Sequence, residues 1–155
     1  MSDTTSLTAT RDIPAPASVV FEVLTTPARH REVDGSGFVR GDDHAEPITC
    51  TGETFRMRMS GDHMGGDYET DNVVTGFEPD RLVSWRTGLA GSEPPGWEWV
   101  WELQPQTPER TTVSLTYDWG QVTDPGVLSS ISFPLVSREQ LDDSLARLAA
   151  CVGGA

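Results

Sequence analysis

The stretch Trp97-Glu98-Trp99-Val100-Trp101-Glu102-Leu103 carries the richest chemistry in the chain. In an extended strand alternate side chains face opposite ways, which puts Trp97, Trp99, Trp101 and Leu103 on one face and Glu98, Val100 and Glu102 on the other. Burying a large apolar side chain is worth ~1.5–3 kcal/mol, so the opposite register, with indoles exposed and carboxylates buried, is strongly disfavoured. Further stretches extend the same face: Phe55, Met57 and Met59 opposite Arg56 and Arg58; Val83 and Trp85; and Val113, Leu115, Tyr117 and Trp119 alternating with Thr112, Ser114, Thr116 and Asp118. Any one of these aromatics reads first as core. Several tryptophans together with a tyrosine and two methionines predict a cavity for a hydrophobic molecule with a polar edge. Buried indole N–H and phenol O–H groups need partners, and thioether chains adapt to irregular shapes.

Few polar residues are placed to act on such a ligand. Tyr117 faces inward by parity and is suited to donate to a carbonyl or enolate oxygen. Tyr68 shares a parity with Asn72 and Val74, but Asp67 to Glu78 is long enough to carry a bulge, which leaves its faces unassigned. His63, in Gly61-Asp62-His63-Met64-Gly65-Gly66, sits at an expected hairpin tip, where a solvated role is the commoner one and a general base requires it to fold inward. Tyr117, Tyr68 and His63 are the catalytic candidates. His30 and His44 fall in a short-helix region and a surface turn, with no role assigned. H-E-x-x-H, C-x-x-C, EF-hand, Walker and G-x-S-x-G patterns are all lacking, so no metal and no cofactor is expected.

A face of this kind needs a cover, and the C-terminal stretch Ser137 to Val152 supplies the one long helical pattern. Leu141, Leu145, Leu148 and Val152 share one side of it, and Ser137 with Gln140 forms a capping-box pattern. Leu141 and Leu145 are expected at the cavity. Ser144, on the same side, reads first as a small residue permitting close packing. The expected ligand contacts are therefore Phe55, Met57, Met59, Trp85, Trp97, Trp99, Trp101, Tyr117 and Trp119 from strands, and Leu141, Ser144 and Leu145 from this helix. Ser6 to Ile13 reads as a first strand. A short helix follows, with Pro16 in its first turn and Ala17, Val20, Phe21 and Leu24 as its stripe, and Ala28 to Val33 forms a second. Phe38 to His44, Thr54 to Ser60, Asp67 to Glu78, Leu82 to Thr87, Trp97 to Gln104 and Thr111 to Gly120 read as strands with short connections, hence antiparallel neighbours. Ala90 to Gly96 is a long turn or a lid.

Ile13-Pro14-Ala15-Pro16, then Val20-Phe21, Leu24-Thr25-Thr26-Pro27 and Asp34-Gly35-Ser36-Gly37, resemble the opening of the START-like, or SRPBCC, superfamily. Phe77 to Arg86 is similar to that superfamily's mid-chain strand-turn-strand, and Trp99-x-Trp101-x-Leu103-x-Pro105 to its penultimate hairpin. The resemblance covers nearly the whole chain and implies an α+β helix-grip fold: a seven-stranded curved antiparallel sheet around a long C-terminal helix, with two short helices after the first strand. It implies three functions in order: binding of a small hydrophobic ligand (polyketide, lipid or aromatic), a polyketide cyclase- or dehydrase-like activity, and a protein-interaction role like that of the Hsp90-ATPase activator.

Composition narrows the partners. The chain has 155 residues and a formal charge of −13, and all eleven of its basic residues are arginine. This length suggests one domain. The charge repels phosphate backbones and anionic membranes, so neither nucleic acid nor a membrane is an expected partner. The absence of lysine excludes a lysine Schiff base. Cys50 and Cys151 fit two reduced thiols, or a bridge if the fold brings them together. A cytoplasmic monomer or homodimer is expected.

Overall fold

The computed structural model describes residues 5–153. Its order is β1 (Ser6–Ile13), α1 (Ala17–Leu24), a 3-10 turn (Pro27–Arg29), α2 (His30–Val33), β2 (Val39–Asp42), β3 (Thr54–Gly61), β4 (Gly66–Glu78), β5 (Leu82–Leu89), β6 (Glu98–Thr107), β7 (Arg110–Asp118), α3 (Pro125–Ser130) and α4 (Arg138–Gly153). The seven strands form one antiparallel sheet in the order β1-β7-β6-β5-β4-β3-β2. Strands β2 to β7 therefore follow one another as a meander, and only β1 reaches across the chain to pair with β7. The sheet curls around α4, as the helix-grip reading expects.

Alternation sorts the faces as the residue types demand. Val83, Trp85, Trp101, Leu103, Val113, Leu115 and Tyr117 are buried on the concave side. The convex side carries hydroxyl and ionic pairs: Thr8 with Thr116 at 2.9 Å, Thr10 with Ser114 at 3.0 Å, and Arg56 on both carboxylate oxygens of Asp71 at 2.8 and 3.1 Å. Leu141, Leu145 and Leu148 of α4 are each at most 1% exposed. The helix begins in the expected capping box, with the Ser137 N–H donating to Gln140 Oε1 at 2.8 Å and the Gln140 N–H to Ser137 Oγ at 3.2 Å.

Several boundaries differ from expectation for local reasons. Strand β2 spans only Val39–Asp42, and two residues on His44 takes a left-handed φ of 54°. Pro16 lies at the N-cap in extended conformation rather than within the first turn. β4 carries a bulge between Val74 and Gly76, which switches its inward set from Tyr68, Thr70, Asn72 and Val74 to Phe77, whose ring meets Phe21 at 5.4 Å. α3 was not anticipated, although Asp124 caps it by accepting from the Gly126 N–H at 2.8 Å and Pro125 opens it. Cys50 and Cys151 are both free thiols.

The Asp34–Gly37 turn is fastened from within and from above. Asp34 accepts from the Ser36 N–H at 3.0 Å, the Ser36 hydroxyl at 2.6 Å and the Val39 N–H at 3.0 Å, while the Gly35 N–H donates to Ser144 Oγ at 2.8 Å. Ser144 thus accepts a backbone donor where α4 presses on the turn. A Cβ at Gly35 would lie 2.3 Å from the Gln140 carbonyl oxygen and 2.8 Å from the Ser144 nitrogen, both helix backbone. Gly35→Ala should therefore cost about 2–3 kcal/mol, the scale of overpacking against atoms that cannot rotate away. Gly41→Ala, whose Cβ would meet nothing within 4 Å, should change stability by less than ~0.5 kcal/mol. Denaturant midpoints for the two variants check this, and equal shifts would refute the close-packing account.

Candidate functional site

Between the concave sheet, α2, α4 and the 124–136 segment lies a cavity of about 800 Å³. Phe55, Met57 and Met59 of β3 line it together with Trp85 of β5. Trp97, just before β6, joins Trp99 and Trp101 on the wall, with Tyr117 of β7. From α4 come Leu141 and Ser144. Tyr68 and His63 lie on the β4 side and at the β3–β4 turn. Two expected contacts stand outside the wall. Trp119 is behind it, with its ring 5.2 Å from Tyr117 and stacked on Phe133 at 6.1 Å, because β7 ends at Asp118 and the chain turns there. Leu145 is 1% exposed in the core, one helical turn deeper along α4 than Leu141.

The aromatic side chains stack on one another along the walls and leave the centre open. Trp99 and Tyr117 are cross-strand partners in β6 and β7, and their rings stack at 4.3 Å with planes 8° apart. Burial pushes the Tyr117 hydroxyl up to about 12, with the Leu135 backbone amide opposing. It is therefore a neutral donor at ordinary pH and a poor proton carrier. Tyr68 O–H and His63 Nε2 lie 3.3 Å apart, and burial followed by the charge of Asp34 raises the Tyr68 hydroxyl as well. His63 itself is exposed, with its ring against Phe38 at 4.7 Å.

The residue that sequence reasoning missed is His30. Helix α1 ends with carbonyls that need donors. Thr25 Oγ1 donates to the Phe21 carbonyl at 2.8 Å, Thr26 Oγ1 to that of Glu22 at 2.6 Å, and His30 Nε2 to that of Leu24 at 2.7 Å. The tether holds the imidazole in the cavity wall, stacked on Trp85 at 5.0 Å and edge-on to Phe55 at 5.5 Å. A histidine shortly after a helix that stops at Thr-Thr-Pro was the available signal. Nearby, Thr87 Oγ1 donates to Asn72 Oδ1 at 2.7 Å, and Asn72 Nδ2 donates to the Phe55 carbonyl and to Thr70 Oγ1, both at 3.3 Å. All three polar side chains are buried and line the cavity.

The 124–136 segment closes the opposite side with Val127, Ile131 and Phe133, the last 5.9 Å from Trp97. The Ala90–Gly96 turn contributes Pro95 and packs on neighbouring chain: a Cβ at Gly96 would lie 2.8 Å from the Gln121 carbonyl oxygen. Among the described residues, no group of three His, Cys, Asp or Glu side chains is placed to hold a metal ion, and no helix is long and apolar enough to cross a membrane.

Burial lowers the His30 pKa from 6.5 to about 4, against the Leu24 hydrogen bond and the charges of Asp34 and Asp42. The unfolded chain therefore takes up this proton first. The stabilising difference is intact above pH 6.5 and is lost as pH falls toward 4, to a limit of about 3 kcal/mol. Unfolding midpoints measured across pH 7 to 4 should fall more steeply for the native chain than for His30→Gln. Parallel curves would refute the assignment.

The model of the family described as polyketide cyclase / dehydrase and lipid transport matches residues 4–153. Over 108 residues the chain is 35% identical to the uncharacterized protein Rv0088 of Mycobacterium tuberculosis, a match that covers 70% of this chain and 45% of that protein. The chain thus spans less than half the length of this curated relative. A solution structure from Arthrobacter aurescens superposes with a TM-score of 0.71 at 13% identity, covering 97% of this chain and 87% of that one. The crystal structure of DynU16, from the dynemicin biosynthetic locus, gives 0.63 at 21% identity, covering 97% of this chain and 48% of that one. At these identities the structural likenesses speak for fold. The match along nearly the whole sequence, together with the curled sheet around α4, means that this chain belongs to the polyketide cyclase / dehydrase and lipid transport family.

Proposed function

We propose that this chain binds a small hydrophobic molecule between its sheet and α4. The observation that carries the reading is the cavity itself. About 800 Å³ lies within the range of small-molecule sites, and four of the five tryptophans line that space rather than fill it. Thioethers from Met57 and Met59 give one wall the adaptability that irregular ligands need. The convex surface offers hydroxyls and Arg–Asp pairs instead, which favours recognition inside the protein over docking on the sheet's outer face.

A second reading, a cyclase- or dehydrase-like enzyme, is favoured by the Tyr68 and His63 pair, where a phenol and an imidazole meet at the cavity wall. Confinement of a flexible polyketone against the stacked aromatics would supply orientation, and this pair a route for a proton.

Intrinsic tryptophan fluorescence tests the binding reading directly. Titration with polycyclic aromatics, flavonoids and fatty acids should produce saturable quenching or a blue shift with at least one class. Trp99→Ala should weaken that binding by about tenfold, the equivalent of ~1.4 kcal/mol of lost stacking area. No response from any class would refute it. For the enzymatic reading, mass spectrometry of a bound polyketone should show a product with the native chain, and Tyr68→Phe with His63→Ala should abolish its formation while leaving binding within about twofold. An unchanged ligand with the native chain removes that reading.

A further inference from the structure

The rims of the cavity are not fastened alike. At the β3–β4 turn the His63 ring lies against Phe38 at 4.7 Å, and its Nε2 is 3.3 Å from the Tyr68 oxygen. At Asp34–Gly37, Asp34 accepts from the Ser36 and Val39 N–H groups and Ser144 from that of Gly35. The Ala90–Gly96 turn, a lid candidate by sequence, is pinned to β4: the Ala90 N–H donates to the Glu69 carbonyl at 3.1 Å and the Gly91 N–H to Asp71 Oδ2 at 2.8 Å. It also packs on β5, because a Cβ at Gly88 would lie 2.8 Å from Pro94 Cα. The rim between β7 and α4 is held differently.

Between Val122 and Val136, which are 6% and 5% exposed, none of residues 123–135 is buried. Among the described residues, every hydrogen bond made by residues 123–134 stays inside that stretch. Asp124 accepts from the Gly126 and Leu128 N–H groups at 2.8 and 3.0 Å, the Gly126 carbonyl from the Ser129 and Ser130 hydroxyls at 3.0 and 2.7 Å, and the Val127 carbonyl from the Ile131 N–H at 2.9 Å. α3 thus satisfies itself and gives nothing to the sheet. Only at the far end does the Leu135 amide approach the Tyr117 oxygen, next to the Val136 anchor. What holds the stretch down is packing. Val127 and Phe133 rest on the core, and the Phe133 ring lies 5.9 Å from Trp97 and 6.1 Å from Trp119, parallel to the latter within 11°. Apolar contact without ladder bonds opens more readily than a strand does, and lifting this stretch breaks none of its own hydrogen bonds.

We infer that residues 123–134 form a strap that lifts about Val122 and Val136 to admit and release the ligand, with Phe133 as the catch that holds it closed against Trp97 and Trp119. The inference rests on the ligand-binding reading above and assigns the route into that cavity. Val127, Ile131 and Phe133 all line the space, so raising them uncovers it directly on the Trp97 side. The His63 rim and the Ala90–Gly96 turn stay in place while it moves.

Stopped-flow mixing with the neutral fluorophore N-phenyl-1-naphthylamine tests the route. Phe133→Ala, which removes both aromatic contacts from the closed state, should raise the association rate constant about tenfold. Phe38→Ala, an equal truncation at the His63 rim, should leave it within about twofold. Loss of a wall contact alone would speed release and not entry. A second variant serves as its own control for folding: Trp97→Cys with Phe133→Cys, in a chain whose native thiols are replaced by Cys50→Ser and Cys151→Ala, measured before and after bridging by a short, reducible bis-thiosulfonate. Bridging should slow entry and release by about tenfold or more, and reduction should restore both. Rates unchanged by bridging, or entry sped by Phe38→Ala and not by Phe133→Ala, would overturn the strap while leaving a ligand cavity in place. Failure of the native chain to bind the fluorophore would overturn both.

Discussion

One helix must cover a sheet that is wider than itself, and the rest of the structure follows from that mismatch. Seven strands at about 4.8 Å spacing extend across roughly 29 Å, whereas a helix with its side chains is about 10 Å in diameter. α4 packs against β1, β7, α1 and α2, and its three fully buried leucines belong to the same core as Ile13, Val113 and the α1 stripe. The main packing of α4 does not extend to the concave face of β3, β4 and β5, where His30 at the start of α2 meets Trp85 and Phe55. Curling brings that face toward α4 and the 124–136 segment but does not close the gap, and the gap is the cavity.

Large flat side chains keep it open. A wall of leucines could slide together, but Trp99 on Tyr117, Trp119 on Phe133 and His30 on Trp85 are arranged as stacks whose planes support one another. Each of the two stacks that line the cavity joins residues of different elements, Trp99 of β6 with Tyr117 of β7 and His30 of α2 with Trp85 of β5, so rotating one ring inward to fill the void would break contact with its partner. Trp119, outside the wall itself, contributes by backing Tyr117 and Phe133.

Helix termination also shapes the cavity wall. α1 ends by spending two threonine hydroxyls and one imidazole on its last carbonyls. The imidazole is thereby held in one orientation in the cavity wall, while burial, against this bond, keeps it neutral. A requirement of backbone hydrogen bonding has set the chemistry of a pocket wall. Asn72 does the same on the sheet, because its bond to the Phe55 carbonyl directs the hydroxyls of Thr70 and Thr87.

The sequence by itself determined the strands, their faces and the gripping helix, because these depend on periodicities that a linear chain displays: alternation at Trp99 and Trp101 or Leu115 and Tyr117, and helical spacing from Leu141 to Leu148 behind the Ser137–Gln140 box. Ten of the twelve contacts it marked line the cavity. Tertiary structure alone decided three things. The bulge between Val74 and Gly76 lets Tyr68, Asn72 and Phe77 all face inward, which no single parity allows. The end of β7 at Asp118 places Trp119 behind the wall, and the depth of Leu145 along α4 removes it from the surface. His30 acquired its place from a carbonyl six residues earlier and from Trp85, fifty-five positions later. Periodicity reports which way a side chain points within one element; which elements leave space between them, and which side chains meet around that space, depends on distances that exist only after the chain has folded.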